Sequence, residues 1–229
     1  MMIQAHSKWR RFYVQQQKGM LYPNETLVRF LRGAYFPAYK KSYAGKKVLD
    51  IGFGSGNNSM FLGSLGMALH GTEVDKDICK QGKIRLESVG YKGDFRVGTN
   101  SNIPFPDKTF DYLISWDVIH YEGNETNIAM AIDEYHRVLK PGGWLLLSTV
   151  APDHTILKGS KIMAPHCYKI GLTTDFRKGQ QFFYFDSPRY LKHYFEKQFS
   201  NISVGRVTLD YFTYVNDTFT LNAVNKSRP

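Results

Sequence analysis

Apolar and polar positions along the chain fall into blocks that switch between a period of two and a period near 3.6. Residues 47–51, KVLDI, are a short apolar strand running into a glycine-rich turn, and residues 57–69 then read as a helix that stops near Gly66. MALHGTEV supplies a second strand, and residues 76–89 an amphipathic helix around Ile78, Ile84, Leu86 and Val89, ended by Gly90. A third strand around residues 95–97 leads to NSNIPFPDKT, where two prolines forbid regular structure. FDYLIS is a fourth strand. Residues 127–139 follow as a helix closed by Lys140-Pro141-Gly142-Gly143, and WLLLSTV is a wholly apolar fifth strand of the kind buried on both faces of a parallel sheet. Strands alternating with helices in this way predict an α/β fold with a doubly wound, mostly parallel sheet.

The flanks break the rhythm. Residues 8–36 read as two helices separated by Tyr22-Pro23-Asn24, with Asn24 as N-cap for ETLVRFLRGAYF. Residues 151–185 show no clear period and contain His154, His166, Tyr168, Arg177 and the cluster FFYF; a stretch of that length is usually a lid or binding insertion. A helix near residues 187–198 and the alternating strands in ISVGRVTLDYF and TFTLNAV would complete a seven-stranded sheet with a hairpin. The expected organisation is an N-terminal helical arm capping the substrate (1–44), a cofactor-binding core (45–150), a lid (151–186), and a C-terminal helix with closing strands (187–229).

Composition fits this picture. A chain of 229 residues that is 42% hydrophobic and 22% charged can bury one main core and is not of the disordered class. No run approaches the roughly 20 apolar residues of a membrane span, and MMIQAHSKWRRFY has no apolar stretch of signal-peptide type, so a cytoplasmic location is expected. Cys79 and Cys167 lie 88 positions apart with no partner at metal spacing, so they read as plain thiols and no metal site is indicated. The formal charge of +10 is uneven: residues 1–47 carry +9, residues 48–150 carry −4 and residues 151–229 carry +5. Basic flanks around an acidic centre either face something anionic, such as a phosphorylated or carboxylated small molecule, a nucleic acid or a membrane surface, or form a solvated basic surface.

VLDIGFGSG sets Gly52, Gly54 and Gly56 directly after the first strand, where the backbone turns tightly and amides approach a ligand without intervening side chains. The dinucleotide fingerprint wants a sixth-position glycine where this chain has Asn57. Asp50 precedes the loop, and Glu73 lies at the tip of the second strand, where a carboxylate takes both hydroxyls of a ribose. At these residues, and along residues 45–150, the chain resembles the class I S-adenosylmethionine-dependent methyltransferases. VLDIGFGSG looks like the family's first motif and HGTEVD like its ribose-binding strand end. IPFPDKTFDYLIS and LKPGGWLLL look like the later motifs of the subgroup typified by ubiquinone-biosynthesis methyltransferases.

The resemblance implies S-adenosylmethionine as cofactor, with Gly52, Gly54, Gly56 and Asn57 at its methionine part, Glu73 and Val74 at its ribose, and Asp50 supporting the loop. Where the family usually has an acidic adenine contact, this chain has Thr99-Asn100-Ser101, so that contact falls to Asn100 or to backbone groups. Ser115, Trp116 and Asp117 lie where the family lines the cofactor and opens toward the acceptor. The arm's YPNETLVRFL resembles methyltransferases of bacterial surface-polysaccharide pathways, including those that methylate a phosphoryl oxygen in capsule phosphoramidate synthesis.

Because the cofactor is an activated methyl donor, the protein must chiefly hold an acceptor in line with the methyl group. A hydroxyl acceptor also needs a base, and His120 with Tyr121, just past the fourth strand, is the best-placed pair. An acceptor already ionised needs cations instead. Tyr13, Arg29 and Arg32 in the arm, and His166, Tyr168 and Arg177 in the lid, are the candidate substrate contacts. The reading that follows is O-methylation of a small polar anionic metabolite. A quinone-like or RNA acceptor, or a cofactor-binding module without turnover, stand as alternatives; no RNA-binding module or N-P-P-Y motif is present.

Overall fold

The computed structural model describes residues 9, 10, 12, 13, 22–33, 40–173 and 175–227. Seven strands form one sheet: β1 (Lys47–Ile51), β2 (Ala68–Glu73), β3 (Gly93–Val97), β4 (Phe110–Trp116), β5 (Leu139–Val150), β9 (Phe199–Asp210) and β10 (Val215–Asn225). Their order is β3-β2-β1-β4-β5-β10-β9. The first five run parallel, and β10 returns antiparallel against β5, with β9 antiparallel beside it. The expected doubly wound architecture is the one observed.

The apolar runs explain the layering. Leu145, Leu146 and Leu147 of β5 are all fully buried, because successive side chains point to opposite faces and both faces are covered. Leu145 and Leu147 join Leu49, Ile51 and Leu113 beneath α4 (Glu125–Val138) and α5 (Pro188–Phe195). Leu146 joins Val48 and Ile114 beneath α1 (Glu25–Arg32), α2 (Asn57–Ser64) and α3 (Lys76–Ser88), through Leu27, Leu31, Leu62 and Leu86. Each fully buried leucine contributes about 1.5 to 3 kcal/mol of transfer free energy. The arm's second helix is therefore part of the core. Asn24 caps it as expected, its Oδ1 accepting from the amides of Thr26 (2.9 Å) and Leu27 (3.4 Å).

Three expectations need correction. The helix after the glycine loop ends at Ser64, and Lys140-Pro141-Gly142-Gly143 is the irregular beginning of β5 instead of a helix terminus. There the pairing with β4 shifts between Phe110 and Tyr112, which lets a proline enter the sheet at a bulge. The lid, which shows no period in the sequence, holds a three-stranded antiparallel sheet of β6 (Lys161–Ala164), β7 (Cys167–Lys169) and β8 (Gln181–Phe183). Strands of three and four residues are too short to leave a periodic signal. The remaining arm positions of residues 8–36 lie outside the described residues.

Candidate active site

The carboxyl edge of the parallel strands carries the site. Gly52, Gly54 and Gly56 sit at φ 64°, 53° and 81°, in the left-handed region open to glycine. A Cβ on Gly52 would lie 2.9 Å from Val118 Cγ2. A Cβ on Gly54 would lie 2.5 Å from the hydroxyl of Tyr13, so the arm covers this loop directly. Ser59 Oγ donates to Asp50 (2.6 Å), tying the end of β1 to the first turn of α2. Burial pushes the Asp50 carboxyl up to about 7 against that hydrogen bond. Glu73 accepts from the amides of Gly54 (3.3 Å) and Val74 (3.0 Å), and burial raises it likewise to about 7.

Several buried polar atoms beside this loop have no partner among the described residues: Ser55 Oγ, Asn57 Oδ1 and Thr72 Oγ1. Unpaired buried polar atoms are costly, and here they cluster beside a loop without side-chain bulk and a carboxylate at a strand end. That donor and acceptor set fits the methionine and ribose parts of S-adenosylmethionine.

Beyond the ribose end, Thr99, Asn100 and Ser101 turn back on themselves through a bridge between Thr99 and Asn102. Asn100 donates from Nδ2 to Glu122 (2.7 Å) and accepts at Oδ1 from the Tyr135 hydroxyl (2.5 Å), which also meets Ser115 Oγ at 2.9 Å. The Asn100 side-chain amide is thus engaged at both ends. Ser115 and Trp116 are likewise turned inward: Ser115 is fully buried on Tyr135, and Trp116 packs on Phe30 of α1. Tyr135 is the member of this network that sequence reasoning missed, because a tyrosine on the apolar face of a helix looks like core.

Asp117 follows β4 at φ 55°, its amide donating to Ser148 Oγ (2.8 Å) and its carboxylate accepting from the same hydroxyl (2.6 Å). A non-glycine residue held there is strained by about 1–3 kcal/mol, and such strain gathers at functional sites. The single turn Ile119–Glu122 then delivers His120 and Tyr121. His120 is 1% exposed and stacks near Tyr121 (4.5 Å) and Phe182 (4.6 Å). Its Nδ1 lies 3.5 Å from Thr149 Oγ1, while Nε2 is buried without a partner among the described residues. Burial, with the Arg177 charge adding to it, drives the imidazole well below its usual value, so it is neutral at physiological pH.

Arg177 forms a bidentate pair with Asp175 at 2.8 and 2.6 Å and reaches the hydroxyls of Tyr121 and Tyr214. Burial opposes its charge, but these partners outweigh it and hold the guanidinium ionised. Above them Trp9 lies 5.3 Å from Tyr121 and 4.7 Å from Phe176, and Phe12 stacks on Phe176 at 4.7 Å. Arg10 bridges to Asp75 (2.9 Å) and Asp77 (3.1 Å) at the start of α3. The arm thereby touches both the glycine loop and the lid.

The remaining candidates lie elsewhere. Arg29 pairs with Glu25 on the exposed face of α1, and Arg32 is exposed on the same helix, because Leu27 and Leu31 take the inner face. His166 stacks on Tyr190 of α5 (4.3 Å), and Tyr168 meets Tyr184 (5.2 Å). Tyr13, expected at the acceptor, stands at the glycine loop instead. His154 caps the turn Thr155–Leu157 through Ile156, and burial lowers it to about 4. The aromatic residues Trp9, Phe12 and Phe176 were not singled out in the sequence, since their convergence depends on the lid's tertiary path.

Residues 49–147 match the family model described as a methyltransferase domain. Over these residues the chain is similar to that family. Among curated relatives, a demethylmenaquinone methyltransferase of Tropheryma whipplei is 31% identical over 107 residues, covering 45% of this chain and 41% of that protein. A ubiquinone/menaquinone biosynthesis C-methyltransferase of Pseudoalteromonas translucida is 32% identical over 120 residues, covering 49% and 46%. The chain thus spans less than half the length of the curated relatives it matches. A solved S-adenosylmethionine-dependent methyltransferase from Methanosarcina mazei shares the fold of the methyltransferase core and its flanks at TM-score 0.70 and 20% identity, covering 91% of this chain and all of that one. A protein of Pyrococcus horikoshii OT3 does so at TM-score 0.69, covering 93% and 98%. S-adenosylmethionine is the cofactor this domain implies.

Proposed function

We propose that the protein is an S-adenosylmethionine-dependent methyltransferase whose acceptor carries a hydroxyl on a flat, aromatic-sized ring, ionised as it binds. The observation that carries this is His120: a neutral imidazole whose Nε2 has no partner among the described residues, set among aromatic rings beside a buried, charged arginine. When bound, the cofactor supplies an activated methyl group. His120 Nε2 takes the proton of the acceptor hydroxyl, and the Arg177 guanidinium, oriented by Asp175, steadies the oxyanion left behind. Trp9, Phe12, Tyr121 and Phe176 hold the ring by stacking and exclude water. Tyr13 and Arg10 close the arm over the glycine loop.

This reading departs from a phosphoryl acceptor. A phosphoryl or carboxylate oxygen is already ionised and gives His120 no proton to take. A second reading, methylation at a ring carbon, draws on the relatives named for demethylmenaquinone and for ubiquinone/menaquinone C-methylation. The same oxyanion would activate the neighbouring carbon. Incubation of the full chain with methyl-labelled cofactor and parallel pools of phenols, hydroquinones and sugar phosphates tests both. Label in a hydroxylated aromatic is expected, with acid and base stability of the product separating oxygen from carbon. Label confined to a phosphate or carboxylate ester would overturn the reading.

A further inference from the structure

The hairpin that joins β9 to β10 projects beyond the carboxyl edge of the sheet. Val150 ends β5 opposite Thr218, and β10 begins three residues further out at Val215. At the tip, Phe212 is 100% exposed, flanked by Tyr211 at 54% and Leu209 at 37%. The tip is a built turn: the Tyr211 amide donates to the Tyr214 carbonyl (2.9 Å), and the Phe212 amide to Asp210 Oδ1 (2.9 Å). Phe212 is held at φ 65°, where a bulky side chain is disfavoured and glycine would relieve the strain. A fully solvated phenylalanine at such a position contributes nothing to the fold that would repay its conformation.

The lid, which is joined to this hairpin, presents a second exposed apolar group. Thr155 Oγ1 accepts from the Val215 amide (2.8 Å), joining lid to hairpin, and the chain then runs into β6, where Ile162 is 64% and Met163 47% exposed. Lys158, Lys161 and Lys169 are exposed beside them, with no ion-pair partner among the described residues. Lys161 stands opposite Lys169 across the β6–β7 ladder, a like-charge pair that destabilises an isolated sheet. Residues 155–185 carry five cations against the single acid Asp175, which Arg177 already neutralises. Apolar side chains pushed outward amid unneutralised lysines match an interface that is apolar within and anionic at its surface.

We propose that the β9–β10 tip and the outer strand β6 form a docking surface for an anionic phospholipid bilayer, with Phe212, Ile162 and Met163 entering the headgroup region and Lys158, Lys161 and Lys169 meeting the lipid phosphates. It is independent of the acceptor named above.

Co-sedimentation of the full chain with vesicles of phosphatidylcholine alone, and of phosphatidylcholine with phosphatidylglycerol, tests the proposal. Binding is expected to the mixed vesicles and to fall with added salt. K161E with K169E should lower it by more than about tenfold, since each lysine near an anionic surface accounts for roughly a fivefold change. Phe212→Gly should weaken vesicle binding while raising the thermal midpoint of the free protein, a pairing that loss of folding cannot produce. Absence of sedimentation with either vesicle would overturn the proposal. So would conversion of a dimer to a monomer by Phe212→Gly without any vesicle effect, which would assign the tip to a second copy of the chain.

Discussion

A neutral imidazole accepts a proton only while its free nitrogen faces the donor, and burial sets how far down in pH that ability persists. At His120 burial has moved the titration well below its usual value, so the base form is present throughout the neutral range. An unperturbed imidazole acting as base would give a rate that rises through a pKa near 6.5; the buried site predicts instead that kcat/KM stays level through that value, with any inflection from His120 lying on the acid side. His120→Ala should cost roughly 10²- to 10⁴-fold in kcat. Wild-type turnover in that variant across pH 6 to 9 would return the ring to packing. Glu73 gives the matching test for the cofactor. Calorimetry on Glu73→Ala should show affinity for S-adenosylmethionine weakened by about 1 to 3 kcal/mol through lost charge-assisted hydrogen bonds, and undiminished affinity in the folded variant would remove Glu73 from the ribose.

At the scale of elements, the arm divides into two parts with different jobs. Leu27 and Leu31 of α1 are fully buried in the core, so removing residues 1–36 would unfold the protein and say nothing about closure. Removing residues 1–21 deletes Trp9, Arg10, Phe12 and Tyr13 but leaves α1 and its Asn24 cap. That truncation should retain a cooperative melt and lose turnover; full-rate methylation by it would show that the arm has no part in the reaction. The distinction was invisible in the sequence, where ETLVRFLR reads as one more amphipathic arm helix. The long periodic runs were legible: KVLDI, FDYLIS and WLLLSTV are strands because both faces are apolar, and the glycine loop after the first is fixed by its three positive φ angles. The lid sheet was not legible, being made of strands too short for a period, and the Asn100–Tyr135–Glu122 network was hidden because its members look like turn, core and helix-start residues.

Over the whole molecule, the Asp50 and Glu73 carboxylates are buried, and burial decides how the unliganded fold responds to pH. Asp50 and Glu73 are held at about 7, above the carboxylate range they recover on unfolding. Between those limits the folded state binds more protons, so what these groups contribute is complete below their unfolded values and is lost as pH rises through 7. His120 and His154 act in the opposite direction, since their neutral buried forms resist the protons that the unfolded chain takes up below about 6.5. Total stability therefore shows only the difference of the two trends, and a paired variant is needed to separate them. Glu73→Gln removes one titration and keeps the shape of the side chain. Its stability relative to the wild type, measured by denaturant unfolding without cofactor, should grow as pH goes from about 5 to 8, by up to about 3 kcal/mol. A difference that stays constant across that range would mean Glu73 is ionised in the unliganded fold, its carboxylate solvated in an open cleft and not sealed beneath Tyr13.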